Sequence, residues 1–275
     1  MPRIGDFLNS ARRERLSAPG DRRRLREILR GREIHVAATA TTVVVLLFLV
    51  SLVSGASRMP DFRQFEAGAE RKTRFFEFLV PMIEAENARI AADRQRLLGL
   101  AEKETVGWFD RRWLHRLAGQ YGVESPSPEG EDRALVEALL DRVDIVPLSL
   151  ALAQAAKESG WGTSRFAREG YNLYGERCFD SGCGLVPGER ASGHGHEVRK
   201  FESPAQSVAS YLRNINTHPG YRDLRRARAR LRDQGRPLSG LVLAGELQRY
   251  SERGQAYVED IKGLIRYNEL DETGA

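Results

Sequence analysis

The sequence predicts a mostly α-helical domain with a small β-lobe, preceded by one membrane-spanning helix. Three observations lead there. Apolar residues recur three and four apart through most of the chain, the period of an amphipathic helix. One glycine-rich piece, 175–200, lacks that period and runs into GHEVRKFES, where His196, Val198 and Lys200 alternate with Glu197, Arg199 and Phe201 as in a short strand, one arm of a hairpin. Residues 36–53, VAATATTVVVLLFLVSLV, contain no charged side chain.

The amino-terminal elements explain the charge of the whole. The 275 residues carry 43 Lys and Arg against 38 Asp and Glu, a net of +5. Residues 1–33 alone hold ten Arg and five acids, so the later 33 basic and 33 acidic residues cancel. The excess belongs to a tail and not to the folded body, which argues against a nucleic-acid-binding domain. With Ile34 and His35, the uncharged run approaches the roughly 20 residues that cross a bilayer's hydrocarbon core. Arginines before it and a nearly neutral flank after it place residues 1–33 in the cytoplasm and the remainder outside. A signal peptide cleaved near SGAS, 54–57, is the rival reading; the long basic stretch ahead favours an uncleaved anchor.

Four regions follow: a basic tail (1–33), a membrane anchor (34–55), a juxtamembrane helical stretch (56–123) and a main domain (124–275). In the third, Phe75, Phe78, Leu79, Met82, Ile83 and Ile90 mark a helix that Pro81 is expected to kink or split. GWFDRRWLHRLAGQYGV, 107–123, is a second helix, with Trp113, Leu114 and Leu117 inward. The prolines and glycine of ESPSPEGED, 124–132, make a loop. Two helices follow, one ending near Val143, the next starting near Pro147 and stopping at Gly160. After the β-lobe, Ser203 as cap and Pro204 at the first position open the later helices. One of these, YRDLRRARARLRDQGR (221–236), is read as a solvated arginine face. The two cysteines, Cys178 and Cys183, form a disulfide across a short loop if the domain is extracytoplasmic, or stay as thiols. They lack the partners of a metal site, and no cofactor is implied.

The chemistry centres on Glu158, in QAAKESGWGTSRFAREGYNLYG. A carboxylate in the last turn of a helix meets the negative end of the helix dipole, so its proton is held more tightly. Trp161 nearby adds apolar surroundings that act in the same direction. A carboxylic acid protonated near neutral pH is what glycoside cleavage requires of its general acid. Trp161, Phe166, Tyr171 and Tyr174 supply flat faces of the kind on which sugar rings stack, and Asn172 offers both a donor and an acceptor.

AKESGWGTSRFAREGYNLYG resembles the E-S-G-W-G-x-S and N-L-F/Y-G signature of the glucosaminidase family, glycoside hydrolase family 73. CFDSGCGLVPGER, EVRKFESPAQSVASYLRNINTHPGYRDLR and YSERGQAYVEDI are similar to its Bax-like bacterial branch. The resemblance covers about 130–270. It implies a lysozyme-like fold, mainly α with a β-hairpin lobe over a groove, and hydrolysis of the β-1,4 bond after N-acetylglucosamine in peptidoglycan or a related glycan. It also implies Glu158 as catalytic acid, Tyr250 lining the cleavage site and Tyr257 as a second tyrosine there. Ser251, Glu252 and Arg253 depart from the family's usual A-T-D. For the second carboxylate, strand alternation favours Glu197 opposite a buried Val198, with Glu189 next, then Glu202; substrate-assisted catalysis is the remaining route. The expectation is thus a periplasm-facing, single-pass enzyme of the bacterial inner membrane that acts on peptidoglycan. The alternative is a non-catalytic glycan-binding or scaffold protein.

Overall fold

The computed structural model describes residues 58–124, 132–188 and 196–271. The expected tail, the expected anchor and Glu189 lie outside the described residues. Among those described, no helix is long and apolar enough to cross a membrane.

Nine helices appear in order among the described residues: α1 (Ala69–Ala101), α2 (Trp108–Tyr121), α3 (Asp132–Arg142), α4 (Leu148–Ser159), α5 (Arg165–Gly170), then α6 (Pro204–Thr217), α7 (Arg222–Asp233), α8 (Gly240–Ala244) and α9 (Gln255–Tyr267). Between α5 and α6 lie β1 (Arg177–Cys178), β2 (Gly184–Leu185) and β3 (Glu197–Arg199), an antiparallel sheet in the order β1–β3–β2. The lobe is therefore a hairpin with one added strand.

Helix α4 is the centre of the body. Leu150, Ala151, Leu152, Ala153, Ala155 and Ala156 are all buried, so its small side chains let neighbours close in on every side. Helices α1, α8 and α9 pack on it. Helix α1 also packs on α3 and α6, and α2 packs on α3. Residues 58–123 therefore share one core with the main domain, within a compact unit spanning Arg58–Ala275.

Pro81 does not split α1, which runs unbroken over 33 residues. Phe75, Leu79 and Ile83 are fully buried on one face and clamp the helix on both sides of the proline. Pro81 and Glu77, whose carbonyl loses its intrahelical donor, are both exposed, so water can satisfy that carbonyl.

The arginine helix α7 is not simply a solvated face. Arg225 and Arg228 are buried, the latter at 1% exposure. Arg228 donates to the carbonyls of Arg142, Asp144 and Ile145 and to Asn216 Oδ1. Arg94, from α1, donates to the carbonyls of Leu140 and Val143. The two guanidinium groups thus satisfy carbonyls left over at the end of α3. Their charges converge on buried Asp144, which Arg232 also grips at 2.8 Å.

Candidate active site

Glu158 sits in the last turn of α4 because Gly160 ends the helix in the left-handed conformation, φ 58°, returning its N–H to the Ala156 carbonyl. Ser159 Oγ locks the next turn, donating to Ala155 O at 2.6 Å and accepting from Gly162 N at 2.8 Å. Gly162 lies so close to the rings of Phe62 and Phe75 that no side chain fits there.

The Glu158 carboxyl faces a cleft of ≈ 600 Å³, whose walls include Tyr174, Glu176, Asn214, Tyr221 and Tyr250. Ser251, Glu252 and Arg253, the segment that departs from the family pattern, also border it. Gly175 brings its backbone beside the acid: a methyl group there would touch Glu158 Oε2 at 3.4 Å.

Behind the carboxyl runs a buried hydrogen-bond chain. Tyr211 Oη donates to Gln154 Oε1 at 2.6 Å, Gln154 Nε2 donates to Tyr257 Oη at 3.1 Å, and Tyr257 Oη donates to Glu158 Oε1 at 2.8 Å. Three helices, α6, α4 and α9, therefore fix one carboxyl oxygen. Stacked rings stiffen the arrangement: Tyr250 on Tyr257 at 5.0 Å and Tyr174 on Tyr211 at 3.8 Å. Tyr250 Oη closes the circuit by donating to the Tyr174 carbonyl at 2.8 Å.

The electrostatics favour a protonated acid. Burial raises the Glu158 pKa, outweighing the Tyr257 hydroxyl and the Lys157 charge, which lower it. Lys157 points elsewhere, bound to Asp260 at 2.8 Å. Burial likewise raises Tyr257, and the Glu158 charge adds to it, so that hydroxyl stays a donor.

The structure brings Glu158, Tyr174, Tyr250 and Tyr257 together. Tyr257 is 2% exposed and reaches the cleft only through Glu158, so it acts as a positioning residue and not as a sugar contact. The other expected residues stand apart. Trp161, φ 59°, packs edge-on against Phe75 and Phe76 and borders a different depression, beside Gly160 and Tyr267. Tyr171, φ 50°, caps α5. Asn172 is a buried latch: its Nδ2 donates to Glu176 O and Arg199 O, both at 2.8 Å, and its Oδ1 accepts from Glu176 N.

Glu197 is turned the opposite way from the strand reading. It is 8% exposed, and Val198 is only half-buried. Its oxygens accept the backbone N–H groups of Gly182, at 3.1 Å, and Gly184, at 2.8 Å. The cause is the turn between Cys178 and Cys183, which are joined in a disulfide: its amides need an acceptor, and a carboxylate inside the lobe meets that need. Glu202 precedes the Ser203 cap of α6, its backbone N–H donating to Gln206 Oε1 at 2.7 Å, and is not on the cleft.

Glu176 was not singled out from the sequence. It follows the N-L-Y-G run directly, in a stretch without periodicity, and nothing local signals its burial. Ser210 Oγ donates to its Oε2 at 2.8 Å, while Oε1 is inaccessible and without a hydrogen-bond partner. Burial raises its pKa, against lowering by Ser210 and Arg199.

Among solved structures, the catalytic domain of the autolysin Auto from Listeria monocytogenes is a loose likeness, 18% identical with a TM-score of 0.37 over 66% of this chain and 96% of that one. Protein bax of Escherichia coli K12 is 35% identical over 215 residues, 78% of this chain and 76% of its own. Residues 133–270 match the glucosaminidase family, described as mannosyl-glycoprotein endo-β-N-acetylglucosaminidase. The chain therefore belongs to the glucosaminidase family and is a glycosidase.

Proposed function

We propose that the protein hydrolyses the β-1,4 bond that follows N-acetylglucosamine in peptidoglycan or a closely related glycan, with Glu158 as general acid. The observation that carries this reading is a carboxyl on an open cleft, with its pKa raised by burial and one oxygen fixed by Tyr257 at 2.8 Å. Glu158 gives its proton to the glycosidic oxygen as the bond to the anomeric carbon breaks. The leaving sugar departs as an alcohol, and water supplies the new hydroxyl. Tyr250 lines the cleft, its own hydroxyl being committed to Tyr174 O. With Glu197 occupied by amides, the role opposite the acid falls to Glu176 or Glu252 on the cleft, to Glu189 or to the substrate's acetamido oxygen.

Reducing-end release from purified glycan strands tests the reading. Glu158→Gln should lower kcat by about 10²–10⁴-fold, the usual worth of a general acid, with the melting temperature retained. Full activity in Glu158→Gln would leave a glycan-binding role instead. Glu176→Gln, Glu189→Gln and Glu252→Gln, measured alongside, identify the second group: a comparable loss in one assigns it, and near-full activity in all three assigns the acetamido oxygen.

The membrane reading is part of the same proposal. The uncharged run at 36–53 with arginines before it supports an anchored enzyme facing the cell wall, and the Cys178–Cys183 bond suits an oxidising compartment. In cells, added protease should digest the body only after the outer barrier is opened; protection in spheroplasts would reverse the orientation.

A further inference from the structure

A second cleft, ≈ 590 Å³, opens beside the β-lobe, lined by Arg199, Lys200 and Arg213 together with Asp180, Gln206 and Ser210. We infer that this basic cleft continues the glycan groove and takes the carboxylates of peptides carried by the glycan. The inference rests on the hydrolase reading of the Glu158 site and names its substrate more narrowly: glycan that still bears acidic peptide.

Continuity comes first. Glu176 lines the Glu158 cleft, Ser210 lines the basic one, and the two side chains are joined by a 2.8 Å hydrogen bond. One face of α6 serves both: Ser210 and Arg213 border the second cleft, and Asn214, a neighbour at helical spacing, borders the first. Arg199 is tied to the same junction, its backbone N–H donating to Glu176 O at 2.9 Å.

Charge comes second. Several cations of this body are neutralised in place, as in Arg96–Asp110, Arg111–Asp132 and Lys157–Asp260. Arg199, Lys200 and Arg213 are exposed, and among the described residues none forms an ion pair; Asp180 is the one described carboxylate on the cleft's lining. An uncharged chain of N-acetylated sugars gives three such cations no partner. A peptide stem brings several carboxylates to a fixed place along the strand, and guanidinium groups bind carboxylates with two parallel hydrogen bonds.

The test uses the full chain in detergent and two substrates: glycan strands with intact peptides, and the same strands stripped of peptide. The expected kcat/KM is higher for peptide-bearing strands by about tenfold at low ionic strength, as several exposed ion pairs would give, and the ratio shrinks in about 0.5 M salt. The Lys200→Gln, Arg213→Gln double variant should bring the ratio to within about twofold, with the fold confirmed by an unchanged melting temperature. Equal kcat/KM on the two substrates, or a preference that survives the double variant, overturns the inference. Cleavage of neither substrate by the wild-type chain would sink the hydrolase reading instead. Binding of both glycans to the wild-type and double-variant chains then decides the basic cleft by itself: peptide-dependent binding lost in the variant upholds it, and peptide-independent binding refutes it.

Discussion

Glu158 owes its chemistry to a helix that stops one residue later and to a tyrosine that reaches it from the far end of the chain. Its raised pKa places the fall in kcat/KM with rising pH above the ordinary glutamic acid range of about 4.3. The hydrogen bond from Tyr257 stabilises the ionised form. Tyr257→Phe removes that stabilisation, so the carboxyl keeps its proton to higher pH. The alkaline limb of the pH–rate profile should therefore move upward, while kcat falls because Oε1 loses its tether. A limb that moves downward would contradict this account. Gly175, at φ 69° and against Glu158 Oε2, makes a second prediction. Gly175→Ala should cost roughly 1–2 kcal/mol by thermal unfolding, the price of a side chain in that conformation, and should depress kcat through the crowded acid. At this scale the sequence was legible where the determinant was local. Gly160, Ser203 and Pro204 announce where helices end and begin, and with them the position of Glu158. Glu197 misled because period-two alternation says which residues share a face but not which face is inward. Here the amides of Gly182 and Gly184 decide it.

Among the elements, α7 departs most from its sequence. Six arginines in twelve residues read as a surface, yet Arg228 is interior because the end of α3 presents carbonyls without donors. Burial pulls its pKa down to about 10, which still leaves it charged at neutral pH. Arg228→Leu should destabilise the protein by about 3–5 kcal/mol, since it removes one partner from a buried charge cluster. A loss under about 1 kcal/mol would show that water replaces it. Burial pushes the Asp144 pKa up, but the bond from Arg232 and the charges of Arg228 and Arg94 outweigh burial and hold it below the usual value. A carboxylate with a depressed folded pKa contributes stability above its unfolded value of about 3.9 and loses it as pH falls through the folded one. Acid unfolding should therefore begin below about pH 4 and be blunted in Asp144→Asn, as followed by circular dichroism. Such partners lie 50 or more residues apart in the chain, as with Arg94 and Asp144 or, at 84, Arg228 and Asp144, and no helical period encodes them.

For the whole molecule, helical periodicity located the main elements but not the way they assemble. The stretch 56–123 carries its own amphipathic pattern and reads as a spacer between bilayer and enzyme. In the folded body, Phe75 and Phe76 of α1 support Trp161, and Phe62 with Phe75 closes on Gly162, four residues from the acid. The family match starts only at residue 133. A gene fragment cut to that boundary would strip the apolar backing from α4 and should emerge as insoluble aggregate, whereas 58–275 should yield a soluble, cooperatively melting protein; recovery of active enzyme from 133–270 would refute this. Any mechanical pull or crowding felt by the segment leading into α1 would reach the Glu158 cleft through rigid aromatic contacts rather than being absorbed by a slack leash.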